Sequence, residues 1–249
     1  MAFDYAGWQI VVIIATYIFA AVAKGITGLG FSTTCLPLLA LIVGLKDAMA
    51  LVIIPSISSN LVVMQRSGHL PETLRRFWPM LLATLPGLVL GLWVLSAIDG
   101  VLAGGVLGLL LLLWCVFTLV NPSVRLPTYL ERPLGPVSGF LTGLLNGVTG
   151  SQVMPTAPYL MMLGLQRDQF IVTINCSFTM SSLVMAVGLN RLGLFSVDAL
   201  ILSVIGSAFI FFGLNIGERI RHRLSPDRFR IAVLVMLIAM GFSLLGRAV

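Results

Sequence analysis

Long apolar runs separated by short polar segments cover the whole chain. The runs occupy residues 8–23, 31–43, 48–64, 77–98, 101–120, 134–145, 152–163, 170–189, 196–217 and 229–246. A transmembrane helix needs about 20 mostly apolar residues, whereas a transmembrane β-strand shows about ten residues that alternate between apolar and polar. The runs show no such alternation. The pattern therefore predicts an all-α polytopic membrane protein, with five apolar runs in each half of the 249 residues.

One short motif occurs once in each half. It reads polar, Gly, aliphatic, Thr, Gly, and it lies at residues 24–30 (KGITGLG) and 146–151 (NGVTGS). A proline, a glycine and an acid follow each motif, with offsets of 120 or 121 residues between the halves. The matching pairs are Pro37 and Pro158, Gly44 and Gly164, and Asp47 and Asp168. This self-similarity predicts two repeats, residues 1–121 and 134–249, joined by a proline-rich linker at 122–133 within one membrane domain.

The first two runs of each half are short. With 16 residues or fewer, they rise at most roughly 24 Å as a helix, whereas the hydrocarbon core is about 30 Å thick. We interpret each pair as a hairpin that enters the membrane and turns back at the glycine motif; two short crossings are the alternative. In both cases each half has an odd number of crossings. We therefore predict two inverted-topology repeats, each a short-helix pair plus three transmembrane helices, as is typical of secondary transporters.

The positive charges are distributed unevenly among the loops. When the loops are assigned alternately to two sides, three cations fall on one side: Lys46, Arg191 and Arg247. Eleven fall on the other side: Arg66, Arg75, Arg76, Arg125, Arg132, Arg167, Arg219, Arg221, Arg223, Arg228 and Arg230. The positive-inside rule places these eleven in the cytoplasm and both termini outside. This distribution accounts for the net charge of +6 without a nucleic-acid partner.

The sequence lacks the residues that several kinds of functional site require. The three cysteines, Cys35, Cys115 and Cys176, lie in apolar runs without metal-ligand spacing, which is typical of packing. His69 and His222 fall in loops, and no Asp or Glu lies in the middle of an apolar run. The usual parts of a metal site, a haem site or a proton relay are therefore missing. We expect no metal, no other cofactor and no enzymatic activity.

The glycine motifs are the candidate substrate site. A glycine-rich break at membrane depth exposes backbone groups that must line protein or a wet cavity, and the following helix start suits an anion. We predict that the substrate-binding residues are Lys24, Gly25, Thr27, Gly28, Gly30, Ser32, Thr33, Asn60, Asn146, Gly147, Thr149, Gly150, Ser151 and Gln152. Two alternatives stay open. The glycines could serve only close helix packing, and Lys24 could snorkel to the interface.

These motifs resemble those of the TauE/SafE family, which comprises sulfite exporters and anion permeases. The resemblance covers nearly the whole chain and rests on residues 25–30 with Pro37 and residues 147–150 with Pro155 and Pro158. It implies transport of sulfite, sulfoacetate or other small organosulfur or carboxylate anions across the bacterial inner membrane. It does not name the substrate.

Together, these features predict an inner-membrane secondary transporter. It would export a small anion such as sulfite or an organosulfonate by alternating access around the site between the glycine motifs. A cytoplasm-negative potential favours anion exit by about 2.3 kcal/mol per charge per 100 mV, so export needs no coupling ion. An anion channel with the same site is one alternative, and a membrane-embedded enzyme is another. The expected partners are the anion and the lipid bilayer.

Overall fold

The computed structural model describes residues 5–27, 30–67, 69–120, 124–221 and 226–248. These residues form ten α-helices and no strand, which confirms the predicted all-α class. The helices are α1 (Gly7–Thr27), α2 (Phe31–Val43), α3 (Leu45–Ser67), α4 (Leu70–Ala97), α5 (Gly100–Val120), α6 (Thr128–Thr149), α7 (Thr156–Met162), α8 (Arg167–Arg191), α9 (Val197–Arg221) and α10 (Pro226–Ala248).

Within the described ranges, six helices are long and apolar enough to cross a membrane by length and composition. They are α1, α3, α4, α5, α8 and α9. α2 is a shorter apolar helix of 13 residues. The chain is therefore a multi-pass membrane protein.

The first helix of each half is longer than its apolar run. α1 has 21 residues and α6 has 22, which corresponds to roughly 32 Å. The prediction of a short first arm is therefore wrong, whereas α2 and α7, with 13 and 7 residues, are short. The difference arises because both helices continue through the first residues of the glycine motif, where protein surrounds the polar side chains of Lys24 and Asn146.

The predicted linker, residues 122–133, is partly helical. α6 begins at Thr128, so residues 128–133 are helical. Pro133 lies in the second turn and Pro136 a turn later; proline is best tolerated near a helix start, where fewer backbone N–H groups need a helical acceptor. The boundaries of the two repeats stay a prediction.

The helices pack mainly across the two halves of the chain. α1 lies along α9 and α6 lies along α4, while α3 and α8 pack against each other and α5 packs on α10. If α1 corresponds to α6 and α4 to α9, the first two contacts are reciprocal. The inverted repeat stays a prediction, and this reciprocal pairing supports it.

Glycine allows the closest of these helix contacts. A Cβ atom on Gly91 would lie 2.2 Å from the carbonyl oxygen of Leu144, and one on Gly217 would lie 2.3 Å from that of Val22. Such backbone approach is typical of small-residue packing in membranes. It draws α4 against α6 and α1 against α9, and thereby holds the ends of α1 and α6, which carry the glycine motifs, inside the protein.

Candidate functional site

A small polar cavity lies between the two halves of the chain. Its volume is about 20 Å³, which is room for about one water molecule. It is lined by Ser32, Leu36, Met49, Val52, Ile53, Ser56, Asn146, Gly150, Gln152, Ser182 and Met185. We call it the central cavity. The predicted residues Ser32, Asn146, Gly150 and Gln152 thus line one cavity, although Ser32 follows the first glycine motif and the others lie in or just after the second.

The central cavity contains polar atoms without partners. Ser32 and Ser56 share a hydrogen bond of 2.8 Å, and the Gln152 amide donates to Ser182 at 2.9 Å. Within the described part of the chain, both polar atoms of the Asn146 side chain and the Oε1 atom of Gln152 have none. A buried polar group left unsatisfied costs about 1–3 kcal/mol. Asn146 is fully buried, so a ligand in the cavity is the natural partner for its amide.

Lys24 lies at the centre of a second polar cluster. Its ammonium donates to Ser59 Oγ at 3.1 Å, to Asn175 Oδ1 at 2.9 Å and to Asn60 Oδ1. The residue is only 2% exposed, so it does not snorkel to an interface. An ammonium has three N–H donors, and here all three have acceptors. These acceptors are neutral, so the positive charge has no carboxylate among its recorded partners.

A hydrogen-bond chain connects Lys24 to the central cavity. Ser59, which accepts from Lys24, donates its hydroxyl to the Ser56 carbonyl oxygen at 2.8 Å. Ser56 is one of the residues that line the cavity. Lys24 itself does not line it. Buried charges in membrane proteins are normally paired, so a cation with only neutral neighbours favours an anion nearby.

A larger cavity of about 510 Å³ lies among α1, α2, α5, α7, α8 and α10. It is lined by Ala23, Thr27, Gly30, Thr33, Thr34, Trp114, Thr118, Val153, Ala157, Leu160, Met161, Leu165, Arg167, Phe170, Ile174, Phe178, Val233, Leu234 and Leu237. We call it the vestibule. Ala23 and Ile174 in its wall directly precede Lys24 and Asn175. The Lys24 cluster therefore lies immediately behind the vestibule wall.

Arg167 supplies a positive charge to the vestibule. It is exposed at the first residue of α8. Its loop belongs to the Arg-rich side, which the sequence analysis assigns to the cytoplasm. Sequence reasoning used Arg167 only for topology and did not include it in the site.

The backbone turns of the two motifs lie at Gly30 and Gly150. Gly30 has φ of 91° before α2, and Gly150 has φ of 75° after α6. Both values fall in the left-handed region that favours glycine. Gly30 lines the vestibule and Gly150 lines the central cavity. Gly28, also predicted as a ligand, lies outside the described residues.

Two predicted glycine ligands, Gly25 and Gly147, pack against neighbouring helices. A Cβ atom on Gly25 would lie 2.5 Å from the Leu214 carbonyl oxygen, and one on Gly147 would lie 2.5 Å from that of Leu88. These glycines serve helix packing, the alternative that the sequence left open, and we do not retain them as ligands.

Thr149 and Ser151 stabilise the end of α6, and neither lines the central cavity or the vestibule. The Thr149 hydroxyl donates to Leu145 at 2.7 Å and accepts from the Ser151 backbone N–H at 3.1 Å. Thr149 is fully buried, whereas Thr27, its counterpart, lines the vestibule. These two predicted ligands therefore have different surroundings.

Sequence reasoning missed Ser56 and Asn175. Both interrupt long apolar runs, in α3 and α8, with a polar side chain. That interruption was the available signal. It could not identify their partners, because Asn175 lies 151 positions from Lys24.

The fold and the site define a polytopic membrane protein whose two halves together enclose a buried polar centre. A model of the sulfite exporter TauE/SafE family matches residues 13–244. The match covers most of the 249 residues, and the chain belongs to this family. Because the family consists of transporters, the chain is a transport protein and not an enzyme. No curated protein and no solved structure matches it.

Proposed function

We propose that the protein is a secondary transporter that exports a small anion, such as sulfite or an organosulfonate, across the bacterial inner membrane. The anion would bind in the central cavity, with alternating access from the two sides. The observation that carries this proposal is the fully buried Asn146 amide, which faces the cavity without a partner in the described residues.

The charges around the cavity favour an anion over a cation. Lys24 lies behind the cavity wall with three neutral acceptors, and Arg167 lies in the vestibule. The polar groups that line the cavity are hydroxyls and amides, which can donate hydrogen bonds to an oxyanion. The amide and hydroxyl oxygens can also coordinate a cation, so the preference for an anion rests on the positive charges of Lys24 and Arg167.

The small size of the central cavity supports alternating access. A volume of about 20 Å³ is too small for an oxyanion of four heavy atoms, such as sulfite. The surrounding helices must therefore separate to admit the substrate. The vestibule, at about 510 Å³, is large enough for such an anion and provides the route from the Arg-rich side.

The proposal is tested by flux measurements in proteoliposomes. The panel contains sulfite, sulfoacetate, sulfate and short carboxylates, each measured as a function of concentration. A transporter gives slow, saturable flux of at least one anion. A channel gives flux that increases linearly with the driving force, and an enzyme gives none.

A further inference from the structure

A third cavity lies at the start of α4 and α6, away from the proposed substrate route. Its volume is about 540 Å³. It is lined by Arg75, Arg76, Phe77, Trp78, Pro79, Met80, Thr128, Glu131, Arg132, Gly135, Pro136 and Tyr159. We call it the α4–α6 cavity. It lies between a helix of the first half and a helix of the second half.

The charges of the α4–α6 cavity do not balance. Arg76 forms a two-point ion pair with Glu131, with N–O distances of 2.7 and 3.0 Å. Arg75 and Arg132 are exposed. In the chain as described, neither has a recorded ion pair. The only carboxylate in the lining is therefore already paired, and two guanidinium groups remain available to an anion.

The depth of these arginines matches the lipid headgroups. α4 has 28 residues, about 42 Å, whereas the hydrocarbon core is about 30 Å thick. The apolar run of α4 covers residues 77–98, so its first two turns extend beyond the core. Trp78 is 58% exposed, and exposed tryptophan is typical of the membrane interface.

We propose that the α4–α6 cavity binds the headgroup of an anionic phospholipid of the cytoplasmic leaflet. The phosphate would lie between Arg75 and Arg132, since guanidinium groups match phosphate geometry. The acyl chains would lie along the apolar surface beside Trp78. Basic pockets between transmembrane helices are suited to such headgroups.

This lipid would connect the two halves of the protein. α4 and α6 are already in close backbone contact, because a Cβ atom on Gly143 would lie 2.0 Å from the Thr84 carbonyl oxygen. A bound headgroup would add ionic contacts at the end of this helix pair. α6 carries Asn146 near its other end, so the lipid would stabilise the helix that supplies the substrate site.

The test is a titration of the delipidated protein in detergent with phosphatidylglycerol, phosphatidylcholine or inorganic phosphate. Native mass spectrometry counts bound lipid, and a thermal melt gives the apparent Kd. We expect saturable binding and a higher melting temperature with phosphatidylglycerol alone. Equal binding of phosphatidylcholine would contradict the proposal. Inorganic phosphate that competes as strongly as the lipid would indicate a simple anion site and would also overturn it.

The variants locate the site. Arg75→Gln with Arg132→Gln should weaken phosphatidylglycerol binding roughly 30-fold, the combined effect of two basic residues at a membrane surface. The charge-retaining pair Arg75→Lys with Arg132→Lys should keep most of the affinity. Arg219→Gln removes another exposed arginine of the Arg-rich side, outside this cavity, and should change nothing. Unchanged phosphatidylglycerol binding in the double Gln variant would refute the site. If that variant misfolds, the preference of the unmodified protein for phosphatidylglycerol over phosphatidylcholine still tests the proposal.

Discussion

The Lys24 ammonium and the Asn175 amide oxygen lie 2.9 Å apart, although 151 residues separate them in the sequence. This hydrogen bond joins α1 of the first half to α8 of the second. Asn60 and Ser59 on α3 complete the contacts of the ammonium. A buried cation thus holds three helices together directly behind the cavities through which the anion would pass.

Replacing Lys24 tests the role of this charge. Lys24→Met removes the positive charge and leaves the buried acceptors of Asn60 and Asn175 without their donor. We expect KM for the anion to increase by about tenfold or more, which corresponds to roughly 1.4 kcal/mol of lost binding. The lost hydrogen bonds should also lower stability by about 1–3 kcal/mol. Concentration-dependent flux and a thermal melt measure the two effects separately.

Lys46→Met is the matched control for this variant. Lys46 is partly buried near the opposite end of the bundle, where it donates to the Ile98 carbonyl oxygen at 3.3 Å. Its removal should leave KM unchanged. A Lys24→Met protein with normal anion affinity would show that Lys24 has only a structural role.

Replacing Asn146 should not lower the stability of the protein, in contrast to replacing Lys24. Asn146→Leu replaces an unpartnered buried amide by an apolar side chain of similar size. Because the unsatisfied amide costs about 1–3 kcal/mol, the variant should be as stable as the unmodified protein or more stable, and yet lose anion flux. Asn190→Leu, at an exposed position near the end of α8, is the control and should keep its flux. Normal flux in Asn146→Leu would exclude this amide from the site.

Gly150 tests the shape of the turn beside the central cavity. A Cβ atom there would lie 2.9 Å from Met49 Cγ, and φ is 75°. Gly150→Val should therefore abolish flux, since a β-branched residue resists this conformation and intrudes on the cavity wall. Gly164→Val introduces comparable strain at φ of 63°, but a Cβ atom there would meet only the Arg125 Nε atom, at 4.0 Å, so it should keep most of the flux. Gly104→Ala, with its nearest atom at 3.9 Å, should be mild. An equal loss of anion flux in all three variants would mean that these glycines affect transport only through the stability of the protein.

The sequence predicted the helices more completely than the site. Apolar runs indicated ten helices because a lipid-facing surface must be apolar over a fixed length. The ends of α1 and α6 are predicted wrongly, because the polar residues Lys24 and Asn146 end the apolar runs. Both residues lie inside helices, where protein surrounds them.

The candidate site could be predicted only in part, because its residues meet through tertiary packing. The sequence placed Ser32, Asn146 and Gln152 in one candidate site, and all three line the central cavity; their role as ligands stays a prediction. They could not distinguish a turn glycine such as Gly150 from a packing glycine such as Gly147, since that difference depends on which helix lies opposite. The partners of Lys24 on α3 and α8 have no local signature.

The predicted topology is tested by cysteine labelling from outside intact spheroplasts. The native cysteines Cys35 and Cys115 are buried, as is Cys176, so background labelling should be low. Cysteines introduced at Ala6 and Ala248 should react with an impermeant reagent, because the positive-inside rule places both termini outside. A cysteine at Gln166, in an exposed loop of the Arg-rich side, should be protected. The reverse pattern would invert the orientation, and labelling of only one terminus would contradict the inverted repeat.

The most direct test of the account is sulfite efflux from proteoliposomes under an imposed membrane potential that is negative inside. The unmodified protein should give efflux that saturates with internal sulfite and increases with the potential. Asn146→Leu should abolish this efflux and Asn190→Leu should preserve it. If efflux of sulfite or of another anion in the panel saturates and depends on Asn146, the central cavity is the transport site. Efflux that never saturates, or that Asn146→Leu leaves unchanged, would contradict a substrate site between the two halves.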